Sequence, residues 1–284
     1  MAERSRIEWT DQTWNVVTGC TKVSPGCDRC YAETFLHRWH GVPGHPFTTG
    51  FAPTIHPRRL DEPLWWRTPR RVFVAALGDL FHAQVPDEFV VEVFVRMWWT
   101  PEHTFQVLTK RHRRLGSLVP RIADHLRHIE ADLAQVDCPT PLTWPLPNVW
   151  LGVSAETQQW ADIRIPALLT TPAALRWVSC EPLLGPVDLR PWLTSPGGVD
   201  WVVVGGESGP SARPLDLAWL ADLIDQCATT GVPVFVKQLG TAWAHQHGQR
   251  GRGDNVTTWP EWARRREFPH TAPSTRESPC AAAA

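Results

Sequence analysis

Seven short runs of apolar residues, rich in β-branched side chains, recur along the chain and end in polar residues or glycine. The runs are Trp14–Val17, Arg71–Leu77, Thr104–Leu108, Asn148–Val153, Leu175–Ser179, Asp200–Val204 and Val232–Val236. Continuous runs of this kind are typical of strands that are buried on both faces, as in a parallel sheet. Helical patterns lie between the runs, so the order of the elements predicts an α/β fold, either an open sheet or a partial (β/α) barrel of mostly parallel strands.

Two helical patterns have recognisable ends. Pro86–Trp99 begins with a proline and two acidic residues, which suit the first turn of a helix. A second pattern runs from Asp216, a typical N-cap, to Gly231, a typical C-terminal stop. We predict one domain over residues 1–268, with irregular excursions at 41–70 and 137–147, and a disordered tail at 269–284.

Composition excludes several classes of protein. The 284 residues carry 28 basic and 29 acidic side chains, so the formal net charge of −1 argues against nucleic-acid binding by bulk electrostatics alone. No uninterrupted apolar stretch approaches the roughly 18 residues of a membrane-spanning helix. The first residues also lack the apolar segment of a secretory signal. We therefore predict a cytoplasmic protein with no membrane contact.

Polar side chains follow nearly every predicted strand, and the carboxyl ends of parallel strands meet at one edge of a sheet. This pattern predicts a ligand cavity, with Lys110, Glu181 and Lys237 as candidate catalytic residues. Lys237 follows the last predicted strand and Arg111 follows Lys110 after the third. A lysine and an arginine in one cavity suit an anionic substrate, and solvated charges at the rim are the alternative. Glu181 is a candidate for substrate binding or proton transfer, or else a salt-bridge partner of Arg176 or another barrel cation.

Three of the seven cysteines, Cys20, Cys27 and Cys30, lie on one loop between the first predicted strand and the first predicted helix. Three thiolates on one loop can hold three irons of a [4Fe–4S] cluster and leave the fourth iron open to a ligand from outside the protein. Two alternatives stay open. One is a zinc site closed by a fourth side chain, and the other is a redox dithiol of Cys27 and Cys30.

This loop resembles that of the radical S-adenosylmethionine (SAM) superfamily, with six residues in the first gap instead of the usual three and two in the second. The wider sequence is similar to a phage-associated family of three-Cys-motif proteins, a domain of unknown function. The segments that carry the resemblance are Ile7–Asp11, Thr13–Asn15, the cysteine loop, Gly78–His82, Leu108–Arg111, Asn148–Ser154, Glu181–Pro186, Gly205–Pro210 and Phe235–Gln238.

The resemblance implies a partial barrel of the radical SAM type with a [4Fe–4S] cluster and SAM as cofactors. Reductive cleavage of SAM at the cluster would give a 5′-deoxyadenosyl radical that abstracts a hydrogen atom from the substrate. The electron would come from a donor of the flavodoxin or ferredoxin type. Members of the resembled family are often encoded beside a dedicated partner protein, which is a further candidate partner.

The resemblance also implies roles for residues at the strand ends. Gly78 and Asp79 occupy the place where the superfamily binds the methionine amino group, and a turn-capping role for Asp79 stays open. Ser154 is a candidate for the methionine carboxylate or the ribose, or a helix N-cap. Gly205, Gly206 and Glu207 follow the sixth predicted strand. The two glycines are candidates for close approach of the backbone to adenine or substrate.

Basic and aromatic residues also cluster along the sequence and leave nucleic acid open as a substrate. The basic residues are Arg58, Arg59, Arg67, Arg70, Arg71, Lys110, Arg111, Arg113 and Arg114, and the aromatic residues are Trp65, Trp66, Trp98 and Trp99. If they share one surface, that surface could track a phosphate backbone. The alternative is a set of solvated charges beside a helix whose tryptophans belong to the core.

Overall fold

The computed structural model describes Ser5, residues 7–133 and residues 141–269. The strands are β1 Gln12–Trp14, β2 Val17–Thr18, β3 Thr54–Ile55, β4 Arg71–Val74, β5 Thr104–Thr109, β6 Val149–Ser154, β7 Leu175–Cys180, β8 Trp201–Val204 and β9 Val234–Val236. Seven of them form one parallel sheet in the order β1-β4-β5-β6-β7-β8-β9, which curls into a half-barrel, while β2 and β3 pair separately. The predicted α/β fold and partial barrel of parallel strands are therefore confirmed.

The helices are α1 Tyr31–His37, α2 Asp87–Trp99, α3 His112–Leu133, α4 Gln158–Leu169, α5 Arg190–Leu193, α6 Leu217–Thr230 and α7 Thr241–Gln246. Helices α2 to α6 each connect two consecutive strands of the large sheet, as parallel pairing requires. The expected helix ends are confirmed: Pro86 is the N-cap of α2, and Gly231 ends α6 with a φ of 73°. The part of the 137–147 excursion before residue 141 and the tail from residue 270 lie outside the described residues.

The first predicted strand, Trp14–Val17, is divided between two sheets. Strand β1 ends at Trp14, and the chain has turned into the β2–β3 pair by Val17. Asn15 contributes to the turn because its side-chain oxygen accepts a hydrogen bond from the Leu77 amide at 3.1 Å. The Val16 carbonyl accepts from the His56 amide at 2.8 Å, so the excursion that contains β3 holds the second half of the run.

Tryptophans fill the interior of the half-barrel. Trp9 lies 5.3 Å from Trp177 between ring centroids, and Trp201 lies 5.4 Å from Trp177 and 5.8 Å from Trp150. These rings are almost completely buried. Gly152 makes room for them, since a Cβ atom there would lie 2.5 Å from the Trp177 ring. The sheet is thus buried on both faces, against helices outside and against this aromatic cluster inside.

Residues 265–267 cover the edge of the sheet at β9. The Val236 amide donates to the Arg265 carbonyl at 2.8 Å, and the Glu267 amide donates to Val234 at 3.0 Å. Arg71 connects this segment to the start of the chain, because its guanidinium pairs with Asp11 and lies 4.1 Å from the Phe268 ring centroid. The edge groups of β9 are therefore satisfied without closure of the barrel.

The Asp216 cap supports a stability prediction. Its carboxylate accepts a hydrogen bond from the Ala218 amide at 2.8 Å, which satisfies a free N–H group of the first turn of α6. Asp216→Ala should lower the free energy of unfolding by about 1 kcal/mol in urea denaturation. Asp225→Ala, at an exposed position of the same helix, is the control and should have little effect. Equal losses in the two variants would contradict a capping role.

Candidate functional site

A cavity of about 270 Å³ lies at the carboxyl ends of the parallel strands. Every candidate site residue from the sequence lines it except Gly205. The lining candidates are Cys20, Cys27, Cys30, Gly78, Asp79, Lys110, Ser154, Glu181, Gly206, Glu207 and Lys237. Residues from positions 20 to 237 thus meet in one place, because the cysteine loop follows β2 and the other candidates follow or end strands of the large sheet.

The three cysteine thiols are free and partly exposed, and they lie on one wall of this cavity. Cys27 ends a short 3₁₀ turn that begins at Pro25, and Cys30 is the N-cap of α1. Burial and the nearby Asp79 carboxylate raise the pKa of the Cys20 thiol, and the Arg111 guanidinium only partly opposes this.

The donor set of this wall suits an iron–sulfur cluster. Among residues 7–133 and 141–269, no group of three or more His, Cys, Asp or Glu side chains is close enough to hold a single metal ion. A four-iron cluster binds each thiolate at a different corner, so its ligands lie farther apart than those of one ion. Three unpaired thiols on one cavity wall are the type of donor that such a cluster takes.

A buried ion pair contacts the cysteine loop and helps to fix its shape. Arg164 and Glu156 are both 0% exposed, and Arg164 Nη1 lies 2.9 Å from Glu156 Oε2. The other oxygen, Oε1, accepts a hydrogen bond from the Gly26 amide at 3.3 Å. A Cβ atom at Gly26 would lie 3.1 Å from Glu156 Cδ, so only glycine allows this approach without movement of the carboxylate. Burial raises the pKa of Glu156, but Arg164 and Lys110 lower it more, and the net pKa lies below its ordinary value.

Glu207 supports the loop from the other side of the cavity. Its carboxylate accepts from Arg213 Nε at 3.0 Å and lies 3.6 Å from Arg29 Nη1. Arg213 in turn donates to the Pro25 carbonyl at 2.9 Å. Glu207 was a candidate for contact with the cofactor, but two arginines already occupy its carboxylate. Its position favours a role in holding the loop.

Asp79 is almost completely buried and fixes the turn after β4. Oδ1 accepts from the Thr109 hydroxyl at 2.7 Å and from the Phe81 amide at 3.0 Å, while Oδ2 accepts from the Lys110 amide at 3.1 Å. These contacts favour the turn-capping alternative for Asp79. Gly78 beside it packs against β2, because a Cβ atom there would lie 2.9 Å from the Val17 carbonyl oxygen.

The two candidate lysines have different surroundings. Lys237 Nζ lies 3.0 Å from Glu181 Oε1, and both side chains are mostly buried, so the charge of Lys237 is neutralised within the protein. The partner of Glu181 is therefore another barrel cation and not Arg176, which instead donates to the Thr171 carbonyl. Lys110 Nζ donates to the Ser154 hydroxyl at 3.1 Å and forms no ion pair with a carboxylate of the described chain.

Gly205 and Gly206 are required by the protein's own packing. A Cβ atom at Gly206 would lie 2.4 Å from the Leu239 carbonyl oxygen, and one at Gly205 would lie 3.1 Å from Glu181 Oε1. The close approach that we expected towards adenine or substrate is therefore a close approach to Leu239 and Glu181. Gly205 lies behind Glu181, outside the cavity wall.

A family model described as a protein of unknown function (DUF5131) matches residues 4–266. The chain belongs to this family. The match covers the whole half-barrel and every residue of the candidate site. No curated protein and no solved structure matches the chain.

This member of the DUF5131 family does not gather the predicted basic and aromatic residues on one surface. Trp65 and Arg67 precede β4, at the amino end of the sheet, whereas Lys110 and Arg111 follow β5, at the carboxyl end. Several of the arginines are also paired, including Arg114 with Asp87 at 2.6 Å. Trp98 belongs to the core, whereas Trp65 is 77% exposed. These residues therefore do not form one continuous basic face, and the alternative of separate solvated charges beside a core tryptophan fits the structure better.

Sequence reasoning missed the side chains that hold the cysteine loop. Arg111 donates to the Thr21 hydroxyl at 2.7 Å, and Arg164 and Arg213 act through the contacts described above. Tyr31, the only tyrosine of the chain, lines the cavity directly after Cys30 and donates to the Ala76 carbonyl. The position of Tyr31 beside a cysteine and that of Arg111 after a predicted strand were usable signals, but Arg164 and Arg213 carry none in their local sequence. No helix in the described part of the chain is long and apolar enough to cross a membrane.

Proposed function

We propose that this chain is a radical SAM enzyme whose three-cysteine loop holds a [4Fe–4S] cluster. The observation that carries the proposal is the position of Cys20, Cys27 and Cys30, three unpaired thiols on one wall of a cavity at the carboxyl edge of a parallel half-barrel. When bound, the cluster would supply an electron to SAM and so generate a 5′-deoxyadenosyl radical. The substrate reaction that follows is hydrogen abstraction.

The residues around the cavity have separate tasks in this proposal. Cys20, Cys27 and Cys30 bind three irons, and the arginine and glutamate contacts beneath them hold the loop in shape. Lys110 and Ser154 form a cationic, hydrogen-bonding pair that suits the carboxylate of SAM or an anionic group of the substrate.

Part of the cavity wall is apolar and would exclude water from a reactive radical. It includes Trp9, Phe73 and Leu108, which come from three separate segments of the chain. The proposal also requires an electron donor of the flavodoxin or ferredoxin type. The proposal is also compatible with a dedicated partner protein, encoded beside this chain, that presents the substrate.

Anaerobic reconstitution tests the proposal. Protein treated with iron and sulfide should become brown and contain about four irons per chain. Reduction in the presence of SAM should then release 5′-deoxyadenosine, measured by liquid chromatography. Colourless protein with one zinc would instead support a zinc-stabilised protein that binds nucleic acid or a partner. A stable cluster without SAM cleavage would support an electron-transfer protein.

A further inference from the structure

Arg111 contacts the cysteine loop through one terminal nitrogen of its guanidinium. This nitrogen, Nη2, lies 3.6 Å from Cys20 Sγ, 2.8 Å from the Thr21 carbonyl oxygen and 2.7 Å from the Thr21 hydroxyl oxygen. The other two thiols of the loop have no hydrogen bond from a charged group within the described residues. Hydrogen bonds from a charged donor are stronger than those from a neutral one, so Cys20 has surroundings that the other two cysteines lack.

The end of β5 and a buried histidine fix the position of these contacts. The Arg111 amide donates to the Thr109 hydroxyl oxygen at 2.8 Å. His82 is 3% exposed, and its Nε2 lies 3.0 Å from the Thr21 hydroxyl oxygen. Because His82 Nδ1 accepts from the Gln84 amide at 3.2 Å, the proton of the neutral ring is on Nε2, which donates to Thr21. Arg111 and His82 therefore both hold Thr21, the residue directly after the first cysteine.

The positive charge of Arg111 is not neutralised by a carboxylate of the described chain. Three other arginines contact this loop or its supports, and each of them pairs with a glutamate; they are Arg29, Arg164 and Arg213. Arg111 has no such ion pair among residues 7–133 and 141–269. The Asp79 carboxylate also acts on Cys20, in the opposite sense, but three hydrogen bonds already stabilise the charge of Asp79.

The contact between Arg111 and Cys20 becomes more favourable when the sulfur binds iron. In the thiol form, Cys20 Sγ donates to the Thr21 carbonyl at 3.4 Å. A thiolate that binds iron has no proton, so the sulfur and this carbonyl oxygen then repel each other. Arg111 Nη2 contacts both atoms and offsets the repulsion. Reduction of a cluster adds one more negative charge, so the same cation stabilises the reduced form more than the oxidised form.

We infer that Arg111 is a positioning residue, which holds the Cys20 corner of the cluster and raises the reduction potential of the cluster through its hydrogen bond to the Cys20 sulfur. The inference rests on the proposed function in taking Cys20 as an iron ligand. It goes further by naming the residue that favours transfer of the electron from the donor protein to the cluster. Hydrogen bonds to the sulfurs and the local charge are among the factors that set the potential of an iron–sulfur cluster.

Redox titration of the anaerobically reconstituted full-length protein tests the inference, with the visible absorbance of the cluster as the signal. The reference is the potential at which half of the cluster in the unaltered protein is reduced. At this potential, the ratio of reduced to oxidised cluster in Arg111→Met should be about tenfold lower, because the variant loses both the cation and the hydrogen bond. A tenfold change in this ratio equals about 59 mV for a one-electron step.

Arg111→Lys separates the charge from the geometry of the hydrogen bonds. Lysine keeps the positive charge but lacks the planar guanidinium that contacts Cys20 Sγ and both oxygens of Thr21. The ratio of reduced to oxidised cluster should therefore fall about threefold in this variant. Arg111→Lys also decides the result if Arg111→Met incorporates too little iron for a titration, since an unchanged potential in Arg111→Lys would then overturn the inference.

Arg29→Met is the matched control. Arg29 lies on the cysteine loop and lines the cavity, and it lies 3.6 Å from Glu207, but it does not contact a cysteine sulfur within the described chain. Its side chain is 43% exposed, and Glu207 keeps its contact with Arg213 in this variant. Because an exposed and paired charge has a small effect, the ratio of reduced to oxidised cluster should stay within about twofold of the unaltered protein.

Iron content and potential together separate the possible outcomes. If Arg111 only shaped the loop, Arg111→Met would lower the iron content and leave the potential of the remaining cluster unchanged, which would overturn the inference. Equal shifts in Arg111→Met and Arg29→Met would also overturn it. Absence of a cluster from the unaltered protein would overturn it together with the proposed function. SAM cleavage with an unchanged potential in the Arg111 variants removes only the inference, whereas a lowered potential without SAM cleavage supports the inference and removes only the proposed function.

Discussion

Cys27→Ala is expected to abolish cluster assembly, whereas Cys227→Ala should leave it intact. Cys27 is a free thiol on the cavity wall. Cys227 lies in α6 and is completely buried, and burial raises the pKa of its thiol to about 12. A thiol that stays protonated in the core is a poor iron ligand. Iron per chain after anaerobic reconstitution should therefore fall from about four to background in the first variant only.

Circular dichroism of both variants separates loss of iron from loss of fold. Cys27 is partly exposed on its loop, so its replacement should change the spectrum little. Cys227→Ala removes a small buried side chain and should lower stability modestly. If the two variants incorporated equal amounts of iron, Cys27 would not be a ligand, and the proposed function would lose its main support.

Arg164→Met should lower the free energy of unfolding by about 3–5 kcal/mol, because it leaves the Glu156 carboxylate buried without its partner. The same variant should weaken the support of the cysteine loop, since Glu156 also accepts from the Gly26 amide. Urea denaturation measures the free energy of unfolding, and the iron content after reconstitution measures whether the cysteine loop can still bind the cluster.

Arg190→Met provides a matched control at the surface. Arg190 also lies 2.9 Å from a carboxylate, that of Asp222, but both side chains are about half exposed, at 50% and 48%. Exposed ion pairs contribute little to stability, so the control should unfold almost like the unaltered protein. Similar losses in Arg164→Met and Arg190→Met would show that burial of the Arg164 pair is not the source of the effect.

Local sequence patterns were sufficient to predict most strands of the large sheet and the cavity edge. The run Thr104–Leu108 lies within β5, and the run Asp200–Val204 almost coincides with β8. A strand that is buried on both faces consists almost entirely of apolar residues, so its length can be read from the sequence. The residues after these strands form the cavity because parallel strands end at one edge. The same argument predicted that Lys110 and Lys237 would meet there.

The electrostatic roles within the cavity could not be predicted in the same way. Neutralisation of Lys237 by Glu181 depends on the pairing of strands β7, β8 and β9, which brings two residues that are distant in the sequence into contact. The requirement for glycine at position 206 comes from the backbone of Leu239, which lies close to Gly206 only in the folded chain. The local sequence specifies which side chains lie at the carboxyl edge of the sheet, and tertiary packing specifies which of them pair with another residue of the chain.

The contacts that shape the cysteine loop have a consequence for the order of maturation. The loop emerges early in synthesis, but Gly26 bonds to Glu156, 130 residues later, and Pro25 bonds to Arg213, 188 residues later. Domains fold as units while the chain is made from its N-terminus, so the loop has no fixed shape until most of the chain has left the ribosome. If the loop binds an iron–sulfur cluster, the cluster would therefore be inserted when synthesis of the chain is almost complete. In a shorter nascent chain the thiols would be exposed without the contacts that shape the loop.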